Sequence, residues 1–474
     1  MQAARHLKVI PSSQSDTTQP QQPFFRVAPI LKLALLMGAG GGFLLAAILT
    51  LSFILPVPLG AWWSALAQAH GHLQLYGWAG LFVVGVALHF LPRLRGTSLV
   101  GARLVPWLVG CIGASLVLRA ISQPMFAVQP ALIWRIGPIG SGVLEAGAVG
   151  LVLFMLMSTA MRGPRPATRP AYWSVFPFLV GAFCSLALAS LINLLNLTVS
   201  LAGTGLVQDA GDTLNITLGL FGFLIPMALA MSARSLPMYA GLDGFPRRLL
   251  WPLAGTYFAG LVLLCLGSGR WAPADWNTIL NALGMILPGG VVLLFVATFL
   301  RLVSRRGKVP QRVAKLAPSQ QQFTQTYQRQ IARDENNYGP FVGLVASAYL
   351  WALLGALLLV VDGCGILIAG RELVAFDAIR HSFALGFLAL LICGVAPRML
   401  PGFSGRSILS PHLVSATLWL GNIAALLRVG SLIFAAALGS SLSLWLFSFS
   451  GPCGLALAIC LAINLWPIVS APRP

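Results

Sequence analysis

The stretch His70-Gly71-His72-Leu73-Gln74-Leu75-Tyr76-Gly77-Trp78, running on to His89-Phe90-Leu91-Pro92, decides how the chain is read, because it recurs. The second copy is His381-Ser382-Phe383-Ala384-Leu385-Gly386-Phe387, running on to Arg398-Met399-Leu400-Pro401. Counting from His72 and His381, a Gly stands five residues on and an aromatic follows it. A second Gly (Gly85, Gly394), a basic-type residue (His89, Arg398) and Leu-Pro come after. A weaker copy lies between them: Thr217, Gly222, Phe223, Ala230, Arg234, Leu236, Pro237. Each copy has a Gly four residues after its Pro (Gly96, Gly241, Gly405), so five positions agree in all three without a gap. The middle copy has lost the histidine. An internal repeat constrains the fold before any other signal does.

Composition says where the repeat lives. Only 9% of residues are charged, the mean hydropathy is +0.85, and apolar runs of about 20 residues, the length that crosses a hydrocarbon core, recur throughout. These features predict an all-α polytopic membrane protein. Twelve spans are expected, at 31–56, 72–92, 103–121, 138–161, 174–198, 213–237, 249–268, 278–303, 340–367, 380–401, 412–436 and 443–467. Pro288-Gly289-Gly290 interrupts the eighth. The repeats fall on spans two, six and ten, the second of each group of four, which predicts three pseudo-symmetric four-helix units over residues 31–470. Residues 1–30 are polar, lack an apolar signal-peptide core and read as a disordered tail. A basic, Gln-rich loop is expected at 304–339.

The net charge of +19 reads as a topology signal, not a nucleic-acid surface, because the cations lie in loops. With both termini inside, 24 of the 30 Lys/Arg, including all four lysines, fall on the cytoplasmic side. Six arginines remain outside: Arg119, Arg135, Arg270, Arg371, Arg380 and Arg428. A bacterial inner membrane with cytoplasmic termini is the expected setting, the lipid bilayer being the first partner.

Even-numbered spans then run inward, so His72 and His381 open spans two and ten near the outer face. Two neutral imidazoles at one depth can meet across a flat macrocycle as the axial ligands of one haem iron. His70 and His72 stand about 200° apart on an α-helix, so only one faces a given iron. The repeat register selects His72, with His70 as the fallback. His89, roughly 25 Å further along the axis, is an inner-interface residue matching Arg234 and Arg398. Gly77 and Gly386 would admit a neighbouring helix or a ring edge. Arg380 and Arg428 are candidates to hold haem propionates, with a pairing to Asp377 as the competing role. Glu145 and the Asn193, Asn196, Asn215 group are the other intramembrane polar residues of note. None of the seven cysteines forms C-x-x-C-H, so the haem would be b-type and non-covalent.

The two motif copies resemble those of the NnrS family, twelve-span haem-binding bacterial membrane proteins associated with nitric oxide stress. More distantly, the chain resembles subunit I of haem–copper oxidases. That second resemblance implies twelve helices in three units with low-spin haem ligands on helices two and ten. It also implies six ligating histidines, whereas this chain has six in all, His6 and His412 lying away from the motif. Spans six and seven have none. A histidine-built binuclear centre is therefore not expected, and oxygen or nitric oxide reduction is disfavoured. One haem b, with at most a weak copper site, served by an electron-transfer partner or quinol, is the economical expectation. A cofactor-free transporter or channel is the alternative, disfavoured by the shortage of midplane charge and broken helices.

Overall fold

The computed structural model describes residues 23–163, 170–239, 242–268, 273–304 and 320–470. The tail 1–22, Gly241, Arg165, Arg169, Arg270 and Lys315 lie outside the described residues. Among those described, twelve helices are long and apolar enough to cross a membrane. They are α1 (Ala28–Leu51), α2 (Ala61–Arg95), α3 (Ala102–Val128), α4 (Leu132–Arg162), α5 (Trp173–Ser200), α6 (Asp209–Pro237), α7 (Arg247–Ser268), α8 (Trp276–Ser304), α9 (Phe341–Ala369), α10 (Phe376–Ser404), α11 (Pro411–Ile433) and α12 (Ser440–Val469). A helix bonds its own backbone internally, which is why apolar runs in lipid take this form.

The arrangement is three four-helix arcs. α4 packs on α5, α8 on α9, and α12 on α1, so the arcs close into a ring. The repeat-bearing helices stand at its centre: about four-fifths of the apolar stretch of α2, α6 and α10 is buried, against a third to a half in the other nine. The expected pseudo-threefold organisation is present.

All three repeat helices share a backbone irregularity immediately after the repeat's first position. A π-helical stretch runs over Leu73–Gly80 in α2, Leu218–Leu224 in α6 and Ser382–Ala389 in α10. The wider i→i+5 turn shifts the phase of everything beyond it and commonly marks functional sites. Within it, the repeated glycine takes a side chain from a neighbouring helix of its own unit. A Cβ at Gly77 would lie 3.1 Å from Leu116, at Gly222 2.7 Å from Ser185, and at Gly386 2.5 Å from Trp351. Of the two roles open to Gly77 and Gly386, close helix approach is the one observed. The Leu-Pro prolines lie inside the helices, which stop at the glycines: Gly96 (φ +65°) and Gly405 (φ +69°) are left-handed caps.

Several boundaries differ from the sequence expectation. α2 starts at Ala61, eleven residues before 72, because the run Ala61–Gly71 continues the helix and Gln68 pins its side chain to Val207 (2.8 Å) and Gln123 (2.7 Å). His72 is thus the twelfth residue of its helix, not the first. α8 is unbroken through Pro288, whose ring lies where Gly260 of α7 has no side chain. Pro23–Arg26 forms a 3-10 turn with Phe24 buried, and Gln320–Tyr338 is helical, held to α10 by the Arg398–Asp334 ion pair (2.9 Å).

Candidate functional site

Between α2 and α10, closed by α1, α6, α11 and α12, lies a cavity of about 340 Å³. This falls in the range of cofactor pockets. One end carries the ionisable groups His70, Asp212, Asp377, Arg380, His381 and Arg428. The remainder is mainly apolar, with Phe43, Leu75, Leu220, Leu224, Leu385 and Leu388 on its walls beside the uncharged polar residues Thr50, Gln68, Gln74 and Ser450.

The two histidines on the cavity are His70 and His381. Each is anchored through Nδ1. His70 Nδ1 hydrogen-bonds the carbonyl of Gly42 at 2.8 Å, and His381 Nδ1 that of Asp377 at 2.9 Å, with Asp377 Oδ1 a further contact at 3.2 Å. A ring whose Nδ1–H is held by a carbonyl or carboxylate presents the lone pair of Nε2, the tautomer a metal requires. No hydrogen bond to either Nε2 is found among the described residues.

The Gly42 carbonyl reaches His70 because α1 comes unusually close to α2. Gly38–Gly42 (Gly-Ala-Gly-Gly-Gly) is itself a π turn. Its glycines face the π stretch of α2: a Cβ at Gly41 would lie 2.7 Å from Leu73, and one at Gly42 2.9 Å from Gln74. The glycine run was visible in the sequence. Its role was not, because it lies on a different helix from the motif.

His72 faces the other way. It is 3% exposed, its Nε2 sits 2.6 Å from Glu145 Oε2 of α4, and its ring lies against Tyr76. The contact has an ion pair's distance without a well-formed hydrogen bond's geometry. Glu145 also accepts from Asn193 Nδ2 (3.1 Å), and Asn193 Oδ1 accepts from Arg119 (3.1 Å). All four side chains are almost wholly buried, so Arg119 belongs to a polar core joining α2, α3, α4 and α5, not to an outer loop. Asn215 bonds Tyr76 and the Ala189 carbonyl, and Asn196 the Gly211 carbonyl.

The arginines line the cavity's polar end. Arg428 makes an ion pair with Asp377 (2.8 Å) and stacks on Phe447 at 4.0 Å. Arg380 lies over Phe376 at 4.7 Å. The buried Nε of each lacks a hydrogen-bond partner among the described residues. Asp377 thus joins Arg428 to His381, a link the sequence showed only as proximity.

His89 is distant from this cavity, buried between the rings of Phe24 and Phe403, with Arg93 donating to its Nε2. His412 is exposed at the start of α11. The seven cysteines are free, and no group of three or more His, Cys, Asp or Glu suited to a metal ion is found among the described residues.

No family model and no curated protein matches the chain. Among solved structures it is similar to a haem–copper terminal oxidase dimer determined by cryo-electron microscopy. The match covers 95% of this chain and 84% of that one, with a TM-score of 0.66 and 13% sequence identity. At that identity the likeness is one of fold.

Proposed function

We propose that the cavity holds a single haem b between His70 and His381, making the chain a bis-histidine haem protein of the membrane. The observation that carries this is the pair of cavity-lining imidazoles, each fixed through Nδ1 and each presenting an unpartnered Nε2. The residues fit the group in three further respects. The walls are mainly apolar, as a porphyrin face requires; two half-buried arginines, each with an unpartnered Nε, stand at one end, where propionates need bidentate donors; and no C-x-x-C-H motif exists to bind the haem covalently. Bound there, the haem would supply one-electron redox chemistry.

The chain's own residues set the conditions. Gly42 and Asp377 hold the ring orientations, the Asp377 carboxylate lying beside His381 Nδ1 at 3.2 Å. Arg428 holds Asp377 in place, and Arg380 remains to take a carboxylate. With His72 committed to Glu145 and His89 to Arg93, we assign no second haem and no copper. The motif's resemblance to the NnrS family supports a role in nitric oxide stress or redox balance. An electron donor or quinol would then act at the periplasmic face, which carries the cavity's polar end in the orientation set by the cations.

Absorption spectra of the purified protein and its variants test this. A low-spin, six-coordinate b-type haem is expected. His70→Ala or His381→Ala should give a high-spin spectrum or lose the haem, while His72→Ala should remain low-spin. Low-spin haem lost in His72→Ala but kept in His70→Ala would show that the ligand on α2 is misassigned.

A further inference from the structure

A second cavity, of about 110 Å³, lies beyond the first on the axis of the ring. Its walls come from α2, α6 and α10, and they obey the internal repeat. Counted from 72, 217 and 381, the residues seven positions on are Ala79, Leu224 and Leu388, and those fourteen on are Val86, Met231 and Val395. The layers ten and eleven positions on, lying between them, also contribute one residue from each helix. The chamber is therefore built of successive three-residue rings around the pseudo-threefold axis.

The ring at position seven is shared with the larger cavity: Ala79, Leu224 and Leu388 line both. Two of its members are leucines and one is alanine, so the partition between the cavities is thinnest at Ala79. The chamber is otherwise apolar, its hydroxyls being those of Ser232 and Ser235. Buried water needs two to four polar partners, and apolar cavities stay dry; an engineered one of about 150 Å³ takes up xenon. A lipid chain would need a lateral entrance, and the three wall helices are the most buried in the molecule.

We propose that this axial chamber is a binding site for a small apolar gas molecule of diatomic size, entered from the larger cavity past Ala79. The proposal does not depend on haem in that cavity, since neither the two histidines nor the two arginines assigned to the haem line the chamber.

Xenon is the probe. The structure of the whole protein, purified with whatever it carries, is determined under xenon pressure, and an absorption spectrum is recorded from the same preparation. Xenon is expected on the axis between the rings of Ala79 and Val86. It should be lost in Ala228→Phe, which fills the chamber, and in Val86→Phe, the second variant should the first fail to assemble. Ala79→Leu completes the leucine ring and should slow xenon exchange measured by NMR. An empty chamber with xenon bound elsewhere in the same structure overturns the proposal, as does a hydrocarbon chain filling the chamber in the native protein. Xenon in the chamber of a preparation without haem would leave this inference standing and defeat the haem reading. Low-spin haem beside an empty chamber would do the reverse.

Discussion

His70 and His72 differ in what claims them. The first has a carbonyl behind it and a cavity in front; the second has a carboxylate in front, on another helix. Sequence reasoning established that only one could face a given iron, and the repeat register pointed to His72. What it lacked was the partner: Glu145 was visible as an intramembrane carboxylate, but the helix it opposed was not. Two predictions belong at this scale. Glu145→Ala leaves His72 and Asn193 buried without their acceptor and Arg119 without a nearby compensating charge, and removing one member of a buried charged group costs about 3–5 kcal/mol. A lowered denaturation midpoint in detergent, with the low-spin spectrum retained, is the expected outcome. Asp377→Ala removes the carboxylate behind His381 and releases Arg428, so haem affinity should fall by about 10–100-fold, the usual cost of losing such a partner. Titration of the apoprotein with haem checks it.

The elements of the fold were legible to the extent that hydropathy and repetition encode them. Twelve apolar runs gave twelve helices, and the glycine after each Leu-Pro marked the helix end at Gly96 and Gly405. The π turns were not legible. No residue in Leu73–Gly80 or Ser382–Ala389 demands an i→i+5 bond; the turn follows from packing a Gly-bearing helix against a bulky neighbour. Angles drawn on an ideal α-helix therefore misplace everything after His72 and His381. Gly386→Ala tests this level directly, since its Cβ would come within 2.5 Å of the Trp351 ring. Overpacking of this kind costs about 1–3 kcal/mol. A thermal-unfolding shift is expected, accompanied by a changed haem spectrum if the π turn of α10 is displaced.

At the scale of the whole molecule, the ring of three arcs and the cation distribution together fix an expected orientation. A cysteine placed at Arg329, in the helix held to the inner end of α10, should react with a membrane-impermeant reagent only after the cells are permeabilised. Reaction in intact cells would invert the topology. The pseudo-threefold plan was legible from three motif copies. The two cavities described above were not, since they exist only where helices distant in sequence face one another.

That last fact bears on how the protein is made. The larger cavity takes its walls from α1, α2 and α6, and equally from α10, α11 and α12. Nothing emerging from the ribosome before the final third of the chain can enclose a cofactor. Until then, α2 and α6, destined for the interior, must be sheltered by lipid, which their apolarity permits. On the haem reading proposed above, loading is a terminal step of biogenesis, and a nascent chain arrested after α9 should reach the membrane colourless.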